Sequence, residues 1–279
     1  MQKRKIGMVC AAAFMAALLA AGCGKKTSSK VVETSAENRA AETAASVAAA
    51  SVGAESGSVA AESQAAEKRA LISAKVETYQ QDHISIGYPV VSGLTDSAQQ
   101  EKLNAHLKEN ALSPIEALLT DATKDKLTVT AEVISADADR VVVTYRGEMQ
   151  RSGDTAPVQL FYSNTVAVRS LKDLGLRDAV DAVSMANYAL GDEFELANAG
   201  ENEVNTYKAW IQANGKEALQ KSIAEKLEAS DFPLKKGEDG KPKWPESFSY
   251  VKNGEIYFSL SLPAEYGSFV VFKYDMVTK

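Results

Sequence analysis

The side chains able to do chemistry are few, and most of them stand alone. The two histidines, His83 and His106, have no cysteine or second histidine near them in sequence. Neither therefore begins a metal site or a nucleophile–base pair, and both are expected on solvated surface, one on a strand and one on a helix. Ser249 and Lys252 have the Ser-x-x-Lys spacing of a serine nucleophile and its lysine base. That pair works at the start of a helix, with Ser-Asp-Asn and Lys-Thr-Gly companions. Here it falls on a strand leading into Asn253-Gly254 with neither companion present, and it is read as chance. No phosphate-cradling glycine loop, serine nucleophile elbow or His-Glu zinc helix occurs. Carboxylates gather between Asp178 and Glu203, among them Asp181, Asp192, Glu193, Glu195, Glu201 and Glu203. Their spacing does not repeat the Asp-x-Asp-x-Asp-Gly of a calcium loop, so the stretch reads as a solvated acidic face or as a docking surface for a basic ligand. No catalytic residue, metal or cofactor is expected.

Cysteine chemistry belongs to the N-terminus. Cys10 lies inside the apolar run Ile6 to Ala21, which follows the cationic Met1 to Lys5 and ends in small residues before Cys23. That is the layout of a secretory leader, and the run is short for a bilayer-spanning helix, which needs about 20 residues. Leu19-Ala20-Ala21-Gly22-Cys23 resembles a bacterial lipobox, with Leu19 one position further from the cysteine than the commonest pattern. The expectation is a leader over 1–22, acylation of Cys23, and an extracytoplasmic lipoprotein anchored to the cell membrane through more than one acyl chain. Removing Lys3, Arg4 and Lys5 with the leader takes the formal charge from −6 to −9 and leaves no cysteine after Cys23. Disulfides, thiolate zinc sites and cysteine nucleophiles are thereby excluded from the folded part. An acidic chain also argues against nucleic acid as a partner.

The next stretch holds the folded part away from that anchor. Residues 27–70 contain 14 alanines and no Leu, Ile or aromatic residue, so they cannot bury enough apolar surface to offset the entropy of ordering. Residues 23–70 are expected to be a flexible tether, spanning about 35–40 Å as a random chain.

The remaining region, 71–279, is long enough for one domain, or for halves over 71–190 and 191–279 sharing a core. His83 to Val91 alternates like a half-buried strand. Asp96 with Gln99 offers a capping box for a helix carrying Leu103 and Leu107, with a kink at Pro114 before Ile115, Leu118 and Leu119. Leu127 to Ala136 and Arg140 to Met149 form a hairpin, and Val158 to Val168 a third strand. Glu203 to Glu228 gives one long helical signal. Phe248 to Val251 and Ile256 to Leu262 flank an Asn-Gly turn, and Phe269 to Tyr274 closes the chain. Strands in adjacent antiparallel groups broken by helices predict an α+β fold, with helices on one face of an antiparallel or mixed sheet.

In order and pattern, this region resembles the paired extracytoplasmic domains of unknown function shared by the lysozyme-binding anti-sigma factor RsiV and the N-terminal part of the peptidoglycan deacetylase PdaC. The resemblance rests on Tyr88-Pro89 in the opening strand, Leu103-Asn104 in the helix and Val141-Val142-Val143-Thr144-Tyr145. It continues through Leu171-Lys172-Asp173 or Leu176-Arg177-Asp178, then Asn253 to Phe258, then Leu262-Pro263-Ala264-Glu265-Tyr266. Where the family often carries a Gly-Gly-Ala-His turn, this chain has Ser152 to Pro157, so the role of that turn is not carried over. The resemblance implies a sensing or binding module without the output domain of either relative. The expected protein is thus a non-enzymatic envelope module for cell-wall glycan (peptidoglycan) or a basic wall-active protein such as lysozyme. Its expected ligand-binding residues are Asp192, Glu193, Glu195, Glu201, Glu203, Glu265 and Tyr266. The alternative is a cell-wall hydrolase with an unrecognised carboxylate or His site.

Overall fold

A computed structural model describes residues 72–276; the expected leader 1–22, Cys23 and the tether 23–70 lie outside the described residues. The chain is α+β, and its strands form two sheets rather than one. The first is built from β1 (Ser73–Gln81), β2 (Ile84–Ser92), β3 (Lys126–Ala136), β4 (Arg140–Gln150), β5 (Val158–Ala167) and β6 (Asp173–Leu174), in that spatial order. Only β2 and β3 run parallel, and the helix α1 (Ser97–Leu118) makes the crossover between them that a parallel pair requires. The second sheet is antiparallel, in the order β7 (Glu195–Leu196), β10 (Phe269–Asp275), β9 (Glu255–Ser261) and β8 (Ser249–Lys252). Its helices are α2 (Ala182–Leu190), α3 (Glu201–Asn214) and α4 (Lys216–Glu228). Among the described residues no helix is long and apolar enough to cross a membrane.

Residue pattern follows layer position. Leu127 and Val129 on β3 are buried while Thr128 and Thr130 are exposed, the alternation of a sheet wet on one side. β4 and β5 instead carry continuous buried runs, because α1 packs on one face of β5 and β8 on the other. Tyr162 and Ser163 show the two faces directly. Tyr162 Oη donates to the Ala111 carbonyl of α1 at 2.8 Å, and Ser163 Oγ donates to the Ser249 carbonyl of β8 at 2.9 Å.

The helix α1 buries Leu103, Leu107, Asn110, Ala111 and Pro114, one stripe at helical spacing. Asp96 Oδ1 accepts from Gln99 N at 3.0 Å as the capping box predicts, but the Gln99 amide reaches across to the Val168 carbonyl at 2.6 Å. The helix runs through Pro114. Proline leaves the Asn110 carbonyl without its usual N–H, and Ser113 Oγ donates to that carbonyl at 2.7 Å instead. The single long helix expected from Glu203 to Glu228 is two helices. Gly215, at φ 80°, ends α3 and begins α4 in a conformation that an L side chain rarely adopts.

The core around the first sheet also takes in Phe232, Phe248, Tyr250 and Val271 from the C-terminal part. The second core starts at Leu176 and gathers the helices around Phe258 and Phe272. The sequence boundary between 190 and 191 therefore falls inside the second core, since α2 packs on α4.

Candidate functional site

Among the described residues, three carboxylate-centred clusters are buried within the fold and a further one lines an open groove. Asp231 sits between the sheets, in the left-handed region at φ 66°. Its carboxylate accepts from Leu176 N (2.8 Å), Ser230 Oγ (2.7 Å), Ser249 Oγ (2.9 Å) and Ser249 N. Gly175 permits this approach, since a Cβ there would lie 2.8 Å from Asp231 Cβ. Burial pushes the Asp231 carboxyl above its ordinary value, against the pull of those four donors. Ser249 spends its hydroxyl proton on Asp231, while Lys252 is exposed at the end of β8, so the two do not form a nucleophile–base pair.

A second cluster surrounds Asp173, whose Oδ1 lies 3.0 Å from His106 Nε2 and accepts from Asn110 Nδ2 (2.8 Å) and Asn164 Nδ2 (2.9 Å). His106 is thus a half-buried tie between α1 and β6 rather than a solvated surface position. His83 is exposed on the turn between β1 and β2, away from any strand interior. In a third cluster, the buried Asp125 accepts from Thr120 N (2.8 Å), Thr120 Oγ1 (3.0 Å), Asp121 N (2.9 Å) and Ser152 N (2.8 Å). Those donors hold its carboxyl well below the usual range.

The fourth cluster is open to solvent. Between α2 and β7 the chain turns through Gly191, Asp192, Glu193 and Phe194, and this turn faces α3. Lys208, Ile211 and Gln212 share one side of α3 at positions i, i+3 and i+4, and Lys216 follows the break at Gly215. Together, Gly191, Asp192, Phe194 and these four residues line a groove of about 270 Å³. Phe194 is fixed edge-on against Tyr207 (5.1 Å, 88°) and Phe272 (6.0 Å, 75°), so its position is set by the second core. Lys208 Nζ stands 6.0 Å from the Phe194 ring centre, and Asp192 Oδ1 pairs with Lys216 Nζ at 3.0 Å. An apolar ring, an ammonium without a carboxylate partner among the described residues, an amide and an ion pair suit an oxygen-rich ligand bearing a carboxylate. The lining holds no Ser, Cys or His nucleophile. A smaller cleft of about 120 Å³ lies on the seam by Ser249, Thr165 and Arg140. Among the described residues no group of three or more His, Cys, Asp or Glu could hold a metal ion.

Of the seven ligand-binding residues expected from sequence, only Asp192 lines the groove. Glu193 is exposed beside it. Glu195, on β7, pairs with Lys273 at 3.6 Å. Glu201 is exposed in the first turn of α3, and Glu203 closes that turn by accepting from Gly200 N at 3.0 Å. Glu265 and Tyr266 lie on the short 3-10 turn Ala264–Tyr266, which packs against α3 with Tyr266 half-buried. Sequence reasoning missed Phe194, Lys208, Gln212 and Lys216. The available signal was the i, i+3, i+4 set on α3 together with the glycine that turns Lys216 back toward it.

An α+β module with an open mixed-charge groove is the class that fold and site define. No family model matches the chain, and no curated protein matches it. Solved structures similar to it include two of one family. One is a DUF3298 family protein from Pseudomonas aeruginosa PAO1, at 12% identity and TM-score 0.32, covering 74% of this chain and 90% of that one. The other is a member of the same family from Bacteroides fragilis, at 11% identity and TM-score 0.35, covering 75% and 91%.

Proposed function

We propose that the protein is a non-catalytic binding module of the bacterial envelope, held at the cell membrane through lipidated Cys23, whose groove takes the glycan-peptide material of the cell wall. The groove at Phe194 carries the reading. Sugar rings present C–H groups that pack on an aromatic face, and wall peptides present carboxylates that Lys208, an ammonium without a carboxylate partner among the described residues, would hold. Asp192 and Lys216 supply the opposite charges for the amino groups and carboxylates of such a ligand. The non-catalytic part of the proposal is supported by the fate of the reactive side chains: Asp231, Ser249, Asp173 and His106 are tied to one another or to the backbone, away from the groove. A basic wall-active protein such as lysozyme is the second ligand, favoured by the exposed Glu193 and Glu201 near the groove elements.

The test uses the chain without its leader and with Cys23→Ser, incubated with purified peptidoglycan and separately with lysozyme. Retention on peptidoglycan that Lys208→Ala weakens is the expected result. Retention on neither material would sink the proposal.

A further inference from the structure

A second charged surface has the opposite sign to the rest of the chain. Between Phe232 and Phe248 the backbone folds into a small hairpin: Lys243 N donates to the Lys235 carbonyl (2.7 Å), Gly237 N donates to the Lys241 carbonyl (2.8 Å), and Lys236 bridges Pro242. Its tip turns at Gly240, φ 78°, where Asp239 Oδ1 accepts from Lys241 N at 3.0 Å. Four lysines, Lys235, Lys236, Lys241 and Lys243, occupy the two arms, against Glu238 and Asp239 at the tip. All four are exposed, and none forms an ion pair among the described residues.

The register sharpens the point. Lys235 stands opposite Lys243, and Lys241, two residues from Lys243, shares their face of the hairpin. Like charges placed directly opposite one another destabilise a strand pair, so this arrangement works against the hairpin's own stability. The hairpin persists because its base is fixed. Trp244 packs edge-on against Tyr162 (5.2 Å, 77°) and against Phe248 (5.1 Å), and Phe232 packs on Phe248 (5.7 Å). The ammonium groups are thus presented by a rigid stem and left for a partner.

We propose that this hairpin docks the domain onto an anionic membrane, its lysines taking lipid headgroup phosphates. The occupant is chosen by charge complementarity and reach. Screening confines attraction to within about 8 Å at physiological salt, so a surface meets chiefly the hairpin's own charge, four lysines against Glu238 and Asp239, rather than the acidic remainder of the chain. The proposal rests on the reading that Cys23 is lipidated, which would hold the domain at a root-mean-square distance of about 35–40 Å from its anchor, in reach of the headgroups.

The experiment measures cosedimentation of the leaderless Cys23→Ser chain with phosphatidylglycerol-containing vesicles and with pure phosphatidylcholine vesicles at low ionic strength. Binding to the anionic vesicles only, lost on adding salt, is expected. Lys235→Gln, Lys241→Gln and Lys243→Gln should each weaken it by about fivefold near the surface, and Lys236→Gln, on the other face of the hairpin, by less. The quadruple Lys→Gln variant should bind neither vesicle while melting at or above the parent temperature, since removing like-charge repulsion does not cost stability. Equal binding to both vesicles, no anionic binding, unchanged binding by the quadruple variant, or binding of soluble polyphosphate in preference to vesicles would overturn the proposal. Peptidoglycan retention reads the groove independently: the quadruple variant should keep it, and losing it would assign the hairpin to the wall contact and overturn membrane docking.

Discussion

Asp231 and Asp192 bring the same carboxylate to opposite ends of the burial scale, and the difference separates what builds this protein from what it can offer a partner. Asp231 is 5% exposed, while the Asp192 side chain is 95% exposed. Four donors from three segments surround Asp231, so its charge is committed to holding the Leu176 turn, Ser230 and β8 together. Asp192 has one ammonium, Lys216, in solvent, where ion pairs are worth little and exchange readily. A carboxylate held by several buried donors is a structural tie. A carboxylate with one exposed partner can give that partner up to a ligand.

Removing Asp231 should break the contrast most severely. Asp231→Ala leaves Leu176 N and Ser249 N without acceptors in a buried place, at about 1–3 kcal/mol each, so a loss of about 2–6 kcal/mol is expected by urea denaturation. A loss below about 1 kcal/mol would mean that the junction is not tied there. The pH response gives the same contrast with opposite signs. The raised Asp231 carboxyl binds its proton more tightly in the native than in the unfolded chain, so its contribution is fullest below the unfolded value and fades as pH rises through the native one. Asp125 is lowered, so its contribution is present above the unfolded value and fades as pH falls. Asp231→Asn should therefore steepen the rise of stability with pH from about 4 upward, and Asp125→Asn should flatten the acid limb below it. Stability measured across pH for both variants checks the signs.

How much of this was legible follows from where each signal resides. Local patterns were readable: the hairpins at 126–150 and 249–261 lie where alternation and the Asn253-Gly254 turn predict them. The strand β1 was not foreseen, because Ser73 to Gln81 carries only Val76 and Tyr79 as large apolar residues, and it is an edge strand largely exposed. Gly215 falls inside the single helix expected from Glu203 to Glu228, although its φ of 80° breaks that helix just before the groove residue Lys216. Nothing around Asp231 in sequence distinguishes it from Asp192. Its partners Leu176 and Ser249 are remote along the chain and meet only once both sheets are assembled. The acidic stretch was visible as composition, but its division into helix caps, ion pairs and a groove wall is tertiary.

Glu203 lies between the two extremes. Its carboxylate caps Gly200 N at the exposed start of α3, a local bond that helps the helix without committing the rest of the fold. Glu203→Ala should cost about 0.5–1 kcal/mol, read as a small shift of the urea midpoint with an unchanged slope. A cost as large as that of Asp231→Ala would remove the distinction between surface caps and buried ties.

The smallest stability effect should belong to the groove, where the contrast is sharpest in function. Lys208 has no carboxylate partner among the described residues, and its aliphatic stem lies beside Phe194 on an exposed helix face. Lys208→Ala should leave the thermal midpoint within error, because alanine favours helix and no buried group is orphaned. It should nevertheless reduce peptidoglycan retention, and Asp192→Asn should do so less, since Asp192 shares its charge with Lys216. A destabilised Lys208→Ala would place that side chain among the structural ties with Asp231. Unchanged retention in both variants, with the melts also unchanged, would show that the groove is ordinary surface and that exposure alone does not make a carboxylate or an ammonium available for binding.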